Sequence, residues 1–272
     1  MVNLPPLPRP GDRWALFLDV DGTLVAIAPT PEAVRVDPAL LPLLERLSTA
    51  SDGALALVSG RSLAGIDTLF RPLFLPAAGL HGWERRRGDG TLAPSVEPTA
   101  ILAPLRPRLS AFVANRPGLL LEDKGGSLAI HYRLAPHYGA VVCQRAREIA
   151  AADPRLRLIE GRKVVEFVPS GSDKGQAIAE FLAEAPFAGR VPIYVGDDTT
   201  DEDGFAAVNR LDGLSIRVTN PEARGRTGSQ ARYRLPSVAA LHAWLAVVAE
   251  RLDPAQTFAN ADRAERQPTV AR

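Results

Sequence analysis

Hydrophobic positions follow two rhythms along the chain. In the first, short unbroken apolar runs end abruptly in small or acidic residues: ALFLDVD (15 to 21), ALALVSGR (54 to 61) and VPIYVGDD (191 to 198). A strand wetted on one face would alternate, so unbroken runs predict parallel strands covered on both faces. Each run is followed by a segment with helical spacing, respectively PALLPLLERLSTA, SLAGIDTLF and DEDGFAAVNRL. Strand, polar turn and helix in repetition predict an α/β fold built on a doubly wound parallel sheet, whose ligands bind beyond the carboxyl ends of the strands.

The second rhythm occupies residues 82–167. There GWERRRGDGTLAP, GLLLEDKGGSLAIHYRL and RLRLIEGRKVVEFVP read as strand pairs bounded by glycine, with the helix-like AVVCQRAREIAAA between them. This predicts an α+β domain inserted into a discontinuous core of residues 13–80 and 168–252. In SDKGQAIAEFLAEA, Ser172 or Asp173 would cap a helix that returns to the core. Residues 1–12, with four prolines, and 253–272 are expected to be flexible termini.

Composition narrows the function classes. The 272 residues are 46% hydrophobic and 23% charged with a net charge of +1, so there is no electrostatic footprint for nucleic acid or an anionic membrane surface. No segment approaches the roughly 18 apolar residues of a membrane span, and the start lacks the pattern of a signal peptide. With Cys143 as the single cysteine, a cytoplasmic protein is expected, and nothing calls for more than a monomer. Positive charge is carried by 29 arginines and three lysines, Lys124, Lys163 and Lys174. A compact ammonium fits where a guanidinium fork does not, which makes the three lysines candidates for shape-restricted positions.

The strand ends hold the chemistry. Asp19 and Asp21 lie one residue apart, so both reach the same side of the turn that Gly22 permits. One carboxylate can attack a phosphorus atom while the other protonates the leaving alcohol and later deprotonates water. Asp197 and Asp198 supply further oxygens of the kind Mg²⁺ takes together with a substrate phosphate. Ser59, as a hydrogen-bond donor, and Lys174, as a point charge, could hold the remaining phosphoryl oxygens. Taken singly, DVDGT can be a turn, SGR a strand closure and GDDTTDED a solvated helix start. Their order and their shared placement at strand ends point to one phosphoryl-transfer site.

DVDGT at 19–23, Ser59, Lys174, and GDD at 196–198 with Asp201 together resemble the four motifs of the haloacid dehalogenase (HAD) superfamily. The resemblance implies Asp19 as nucleophile, Asp21 as general acid and base, and Mg²⁺ held by Asp19, the Asp21 main-chain carbonyl and Asp197. Asp198 and Asp201 would stand just behind the metal, Gly60 and Arg61 beside the substrate, and residues 82–167 would form a C2-type cap. GLHGWE (79 to 84), EDKGGSLAIHYR (122 to 133), GRKVVEFVP (161 to 169), DKGQAI (173 to 178) and VGDDTTDEDGF (195 to 205) further resemble the trehalose-6-phosphate phosphatase family. That resemblance implies Glu122, Lys124 and Glu166 as sugar contacts, with Arg133, Arg162 and Lys163 nearby. His81 would stand at the entrance as a substrate contact, and His131 would be structural. Where alanine is more usual after TTDED, this chain has Gly204.

A Mg²⁺-dependent phosphatase acting on trehalose 6-phosphate, a small sugar phosphate, is therefore the expected function. Two alternatives stand beside it. A HAD phosphatase for another sugar phosphate, such as sucrose phosphate or a glucosylglycerate-type phosphate, would keep the core and change the cap contacts. A non-catalytic sugar-phosphate sensor or synthase partner would have no use for the paired Asp19 and Asp21.

Overall fold

A computed structural model describes residues 3–28, 33–93, 99–161, 163–171, 173–219 and 228–253. Its strands are β1 (Trp14–Leu18), β2 (Leu55–Val58), β3 (Ala77–Gly79), β4 (Glu84–Arg86), β5 (Leu120–Asp123), β6 (Leu128–His131), β7 (Leu156–Gly161), β8 (Val164–Pro169), β9 (Val191–Gly196), β10 (Leu214–Val218) and β11 (Tyr233–Leu235). Its α-helices are α1 (Leu40–Ala50), α2 (Leu63–Phe70), α3 (Thr99–Leu102), α4 (Leu105–Ala114), α5 (Gly139–Ala152), α6 (Lys174–Leu182), α7 (Glu202–Arg210) and α8 (Val238–Leu252).

The larger sheet has the order β11-β10-β9-β1-β2-β3-β4 and is parallel except for β4. Every residue of β1 and β2 is buried, as their unbroken apolar runs require. Alternate side chains serve opposite layers. Leu16, Leu18, Leu55, Leu57, Ile193 and Val195 pack toward α1, α2 and α8, whereas Phe17, Ala56, Val58 and Tyr194 pack toward α6 and α7. Phe17, Phe181 and Phe187 form an aromatic cluster in the second layer, with Phe17 and Phe187 centroids 5.4 Å apart. Asp173 caps α6 by accepting from Gln176 N, while the alternative cap Ser172 lies outside the described residues.

The smaller sheet, β5-β6-β8-β7, is antiparallel throughout. Leu128, Ile130, Val165 and Phe167 point to one face, where α4 and α5 cover them. The other face carries Glu122, Ala129, Glu166 and Ile159 in one cross-strand row. Alternation thus assigns one face to a core and the other to polar work.

Two expectations are corrected. Glu84–Arg86, placed in the inserted domain from sequence, pairs with Ala77–Gly79 as the edge of the larger sheet, and charged residues there fit an edge strand. The proline-rich lead-in is extended but fastened: Arg234 N donates to Asn3 O at 2.9 Å, Asn3 Nδ2 donates to Arg232 O, and Leu7 packs against the core. The tail from residue 254 lies outside the described residues.

The chain crosses between the sheets after β4 and after β8, and the second crossing is tied to the larger sheet just ahead of β4. Trp83 Nε1 donates to Pro169 O at 3.2 Å, and the Trp83 ring lies against Gly171. Farther out, Arg157 of β7 donates to Asp203 of α7 at 2.8 Å. The carboxyl edge of the larger sheet is set by the turn after β1, where Gly22 has φ +85 and donates to Val25 O at 2.8 Å. A Cβ on Gly22 would stand 2.2 Å from Asp197 Oδ2, so only glycine lets the ends of β1 and β9 meet. Gly22→Ala should therefore lower the unfolding free energy by about 1–2 kcal/mol, from the left-handed backbone alone. Urea denaturation should show an earlier midpoint with an unchanged slope.

Candidate active site

Asp19 follows β1 directly, and its N–H donates to Val195 O at 2.9 Å, continuing the pairing with β9. That bond fixes the carboxylate beside the loop after β9. Lys174, the first residue of α6, is 3% exposed, and its Nζ donates at 2.7 Å to both Asp19 Oδ1 and Asp201 Oδ1. Burial opposes the lysine's charge, yet the two carboxylates hold its pKa above the ordinary lysine value. Ser59 is buried at the end of β2, and its Oγ accepts from Arg61 N at 3.1 Å. Asp19, Ser59 and Lys174 thus reach one cleft from three separate elements.

Asp201 is saturated by donors. Its Oδ1 accepts from Lys174 and, at 2.5 Å, from the Tyr194 hydroxyl, while its Oδ2 accepts from Asp197 N and Asp198 N at 2.8 Å each. Burial raises the Asp201 pKa, but Lys174 and these donors outweigh it and leave the carboxyl below the usual value. Tyr194 is pushed well above the usual phenol value, first by burial and then by the Asp201 charge, so the hydroxyl is the donor.

Asp19 and Asp197 lack such compensation. Burial, together with the charges of Asp201 and Asp21, pushes Asp19 up to about 7 despite Lys174. Asp197 is raised well above the carboxylate range by burial and by Asp19, Asp201 and Asp198. Each of Asp19, Asp197 and Asp201 offers an oxygen within 4.8 Å of the others. With Asp201 engaged by its donors, Asp19 and Asp197 are the two under-compensated carboxylates, and a hard divalent cation fits such oxygen donors. Asp198 is half-buried at the rim of the cleft.

Asp21 is more open and is gripped by Arg61, whose Nε and Nη2 donate to its two oxygens at 2.7 Å each. Sequence reasoning placed both residues in the site but missed their pairing.

The cleft has a volume of about 910 Å³ and runs from these carboxylates to the polar face of the smaller sheet. Glu166 accepts from Lys124 Nζ at 3.0 Å and from Ser127 Oγ at 2.5 Å. Burial would raise its pKa, but Lys124 above all, with the Ser127 hydrogen bond, holds it well below the usual value. Glu122 Oε2 lies 2.8 Å from His131 Nε2, so His131, expected to be structural, shares the cleft wall with a candidate sugar contact. Ala129, fully buried, separates the two glutamates in the cross-strand row. Arg133 also lines the cleft; Lys163 turns the β7–β8 hairpin at φ +58, and Arg162 lies outside the described residues.

His81 connects the two halves. It is buried with φ +60, next to Leu80 at φ +51, a left-handed pair that non-glycine residues rarely adopt. Its ring stands so close to Gly60 that a Cβ there would lie 2.8 Å from Cε1. Nε2 is 3.4 Å from Glu166 Oε2, and neither ring nitrogen makes a regular hydrogen bond. Burial lowers the His81 pKa against the opposing pull of the Glu166 carboxylate.

Residues 17–239 match the family described as trehalose-phosphatase. The chain is 43% identical over 245 residues to trehalose-6-phosphate phosphatase of Escherichia coli strain K12, covering 90% of each protein. It is 46% identical over 239 residues to a probable trehalose-phosphate phosphatase of Sinorhizobium fredii, covering 88% of each. Among solved structures, a trehalose-6-phosphate phosphatase related protein superposes with a TM-score of 0.71 at 25% identity, covering 91% of this chain and 99% of that one. The paired aspartates, the buried lysine and the opposing polar sheet therefore sit in a chain that belongs to the trehalose-phosphatase family, whose members are phosphoric monoester hydrolases.

Proposed function

We propose that the protein hydrolyses trehalose 6-phosphate to trehalose and phosphate through a phosphoaspartate on Asp19. One observation carries the reading: a single cleft joins a phosphoryl-transfer constellation at one end to Glu122, Lys124 and Glu166 at the other. A cleft of this size falls within the roughly 300–1,000 Å³ of small-molecule sites and suits a phosphorylated disaccharide. Glutamates and a lysine fixed by partners recognise hydroxyls in defined directions, which a neutral sugar requires.

In this reading the phosphate lies against Ser59 and Lys174, which hold its non-bridging oxygens. An Asp19 oxygen attacks phosphorus as the bond to the sugar oxygen breaks, and Asp21 gives its proton to that departing oxygen. With the sugar gone, Asp21 takes a proton from water, which attacks the phosphoaspartate and restores Asp19. Asp21 cannot do this while Arg61 occupies both its oxygens; the incoming phosphate dianion competes for the guanidinium and releases it. Asp19, Asp197 and the Asp21 main-chain carbonyl would hold Mg²⁺, which supplies charge screening for an anion approaching carboxylates.

Asp19→Asn should release no phosphate above background while still binding trehalose 6-phosphate, measured by calorimetry against the parent. Turnover by that variant would remove Asp19 as nucleophile. Chelation should abolish phosphate release and Mg²⁺ should restore it, with Ca²⁺ a poor substitute because its looser coordination suits the site less. The sugar end has its own test: Glu122→Ala removes one carboxylate from the wall of the cleft. It should cut kcat/KM for trehalose 6-phosphate at least tenfold, about 1.4 kcal/mol, while turnover of p-nitrophenyl phosphate stays within about threefold. Equal losses on both substrates would detach the smaller sheet from specificity. Phosphate release from glucose 6-phosphate as fast as from trehalose 6-phosphate would sink the substrate assignment and leave the reaction class standing.

A further inference from the structure

Tyr194 lies in the middle of β9, fully buried, with its ring 5.5 Å from Phe205 and tilted by 57°. A phenylalanine would pack equally well there, because a hydroxyl adds nothing to apolar contacts and is costly to bury without a partner. Here the partner is Asp201 Oδ1 at 2.5 Å, at the short end of hydrogen bonds to a carboxylate. The same oxygen accepts Lys174 Nζ, and the opposite oxygen accepts the two amides of the metal-side loop. Two amides alone would let the carboxylate rock about their direction, taking the lysine with it. A third anchor on the far oxygen removes that freedom.

The ring is fixed in turn by the helix above it. A Cβ on Gly204 would stand 2.3 Å from Tyr194 Cε1 and 2.6 Å from Cδ1. Gly204 is a weak choice inside α7, and the space it leaves is filled by the tyrosine. The ring, the glycine notch and the hydroxyl's aim at Asp201 form one interlocked unit.

We propose that Tyr194 is a positioning residue for phosphoryl transfer, holding Asp201 so that Lys174 is directed at Asp19 and the phosphoryl oxygens, with Gly204 serving to seat the ring. The inference rests on the reading of Asp19 and Lys174 given above. In the full chain, Tyr194→Phe should lower kcat for trehalose 6-phosphate about tenfold and leave KM within twofold, since the sugar contacts are untouched. Gly204→Ala, which displaces the ring, should produce a loss of the same kind. On a Tyr194→Val background, Gly204→Ala should cost nothing further, because the ring it collides with is gone. The proposal is overturned if Tyr194→Phe keeps kcat within twofold of the parent, if its loss appears in KM alone, or if the Gly204→Ala loss persists on the Tyr194→Val background. Asp19→Asn, run alongside, separates the two levels: if it is inactive while Tyr194→Phe is normal, only the positioning role falls.

Discussion

The buried ammonium of Lys174 is the interaction on which the site depends. Asp19, Asp197 and Asp201 share a space a few ångströms across, away from water. Each like-charge pair at about 4 Å carries on the order of 4 kcal/mol of repulsion at an effective dielectric near 20. Lys174 lies between two of the three, and its placement follows from being the first helical residue after an Asp173 cap. Removing the ammonium would leave buried carboxylates without compensation, which is far more disruptive than losing one surface ion pair. Its Nζ bonds also tie α6 to the ends of β1 and to the loop after β9, so electrostatic balance and loop geometry are a single constraint.

Compensation by one lysine is incomplete. Asp201 has donors enough to remain ionised, whereas Asp19 and Asp197 stay raised and open to a cation or a phosphoryl group. The smaller sheet solves a different problem with similar parts. Lys124 and Ser127 hold Glu166 ionised, and His131 engages Glu122, so both carboxylates are held in place by their own neighbours.

Much of this was legible because parallel strands buried on both faces leave an unmistakable apolar run, and the polar residues that end such runs must meet at one sheet edge. Asp19, Ser59 and Asp197 were found that way, and Lys174 by its place at the head of the returning helix. Local pattern failed where the deciding partner lay across the fold. Ala77–Gly79 is too short to show a period, and the charged Glu84–Arg86 is a strand only because a neighbour is available at the edge. Lys124 and Glu166 are 42 residues apart and meet through the strand order β5-β6-β8-β7, so resemblance supplied them where spacing could not. Of the three scarce lysines, two are held in carboxylate pockets, while Lys163 occupies a left-handed turn. Scarcity alone did not mark a binding role. Tyr194 carried one signal, a lone hydroxyl in an otherwise apolar strand, which becomes meaningful only once Asp201 folds back beneath it.

The pinned crossing at Trp83 and Pro169 has a further consequence for recognition. In the proposed reading, the groups that meet the phosphate and the groups that meet the sugar belong to two sheets joined at one neck, with Arg157 and Asp203 pairing farther out. A sugar phosphate held at both ends is then a bivalent ligand, and engagement of its second end is an intramolecular event whose strength depends on whether the molecule spans the gap. Length becomes a selectable property: a monosaccharide phosphate can occupy the phosphoryl end but cannot bridge, and forfeits the avidity that a disaccharide of matching span receives.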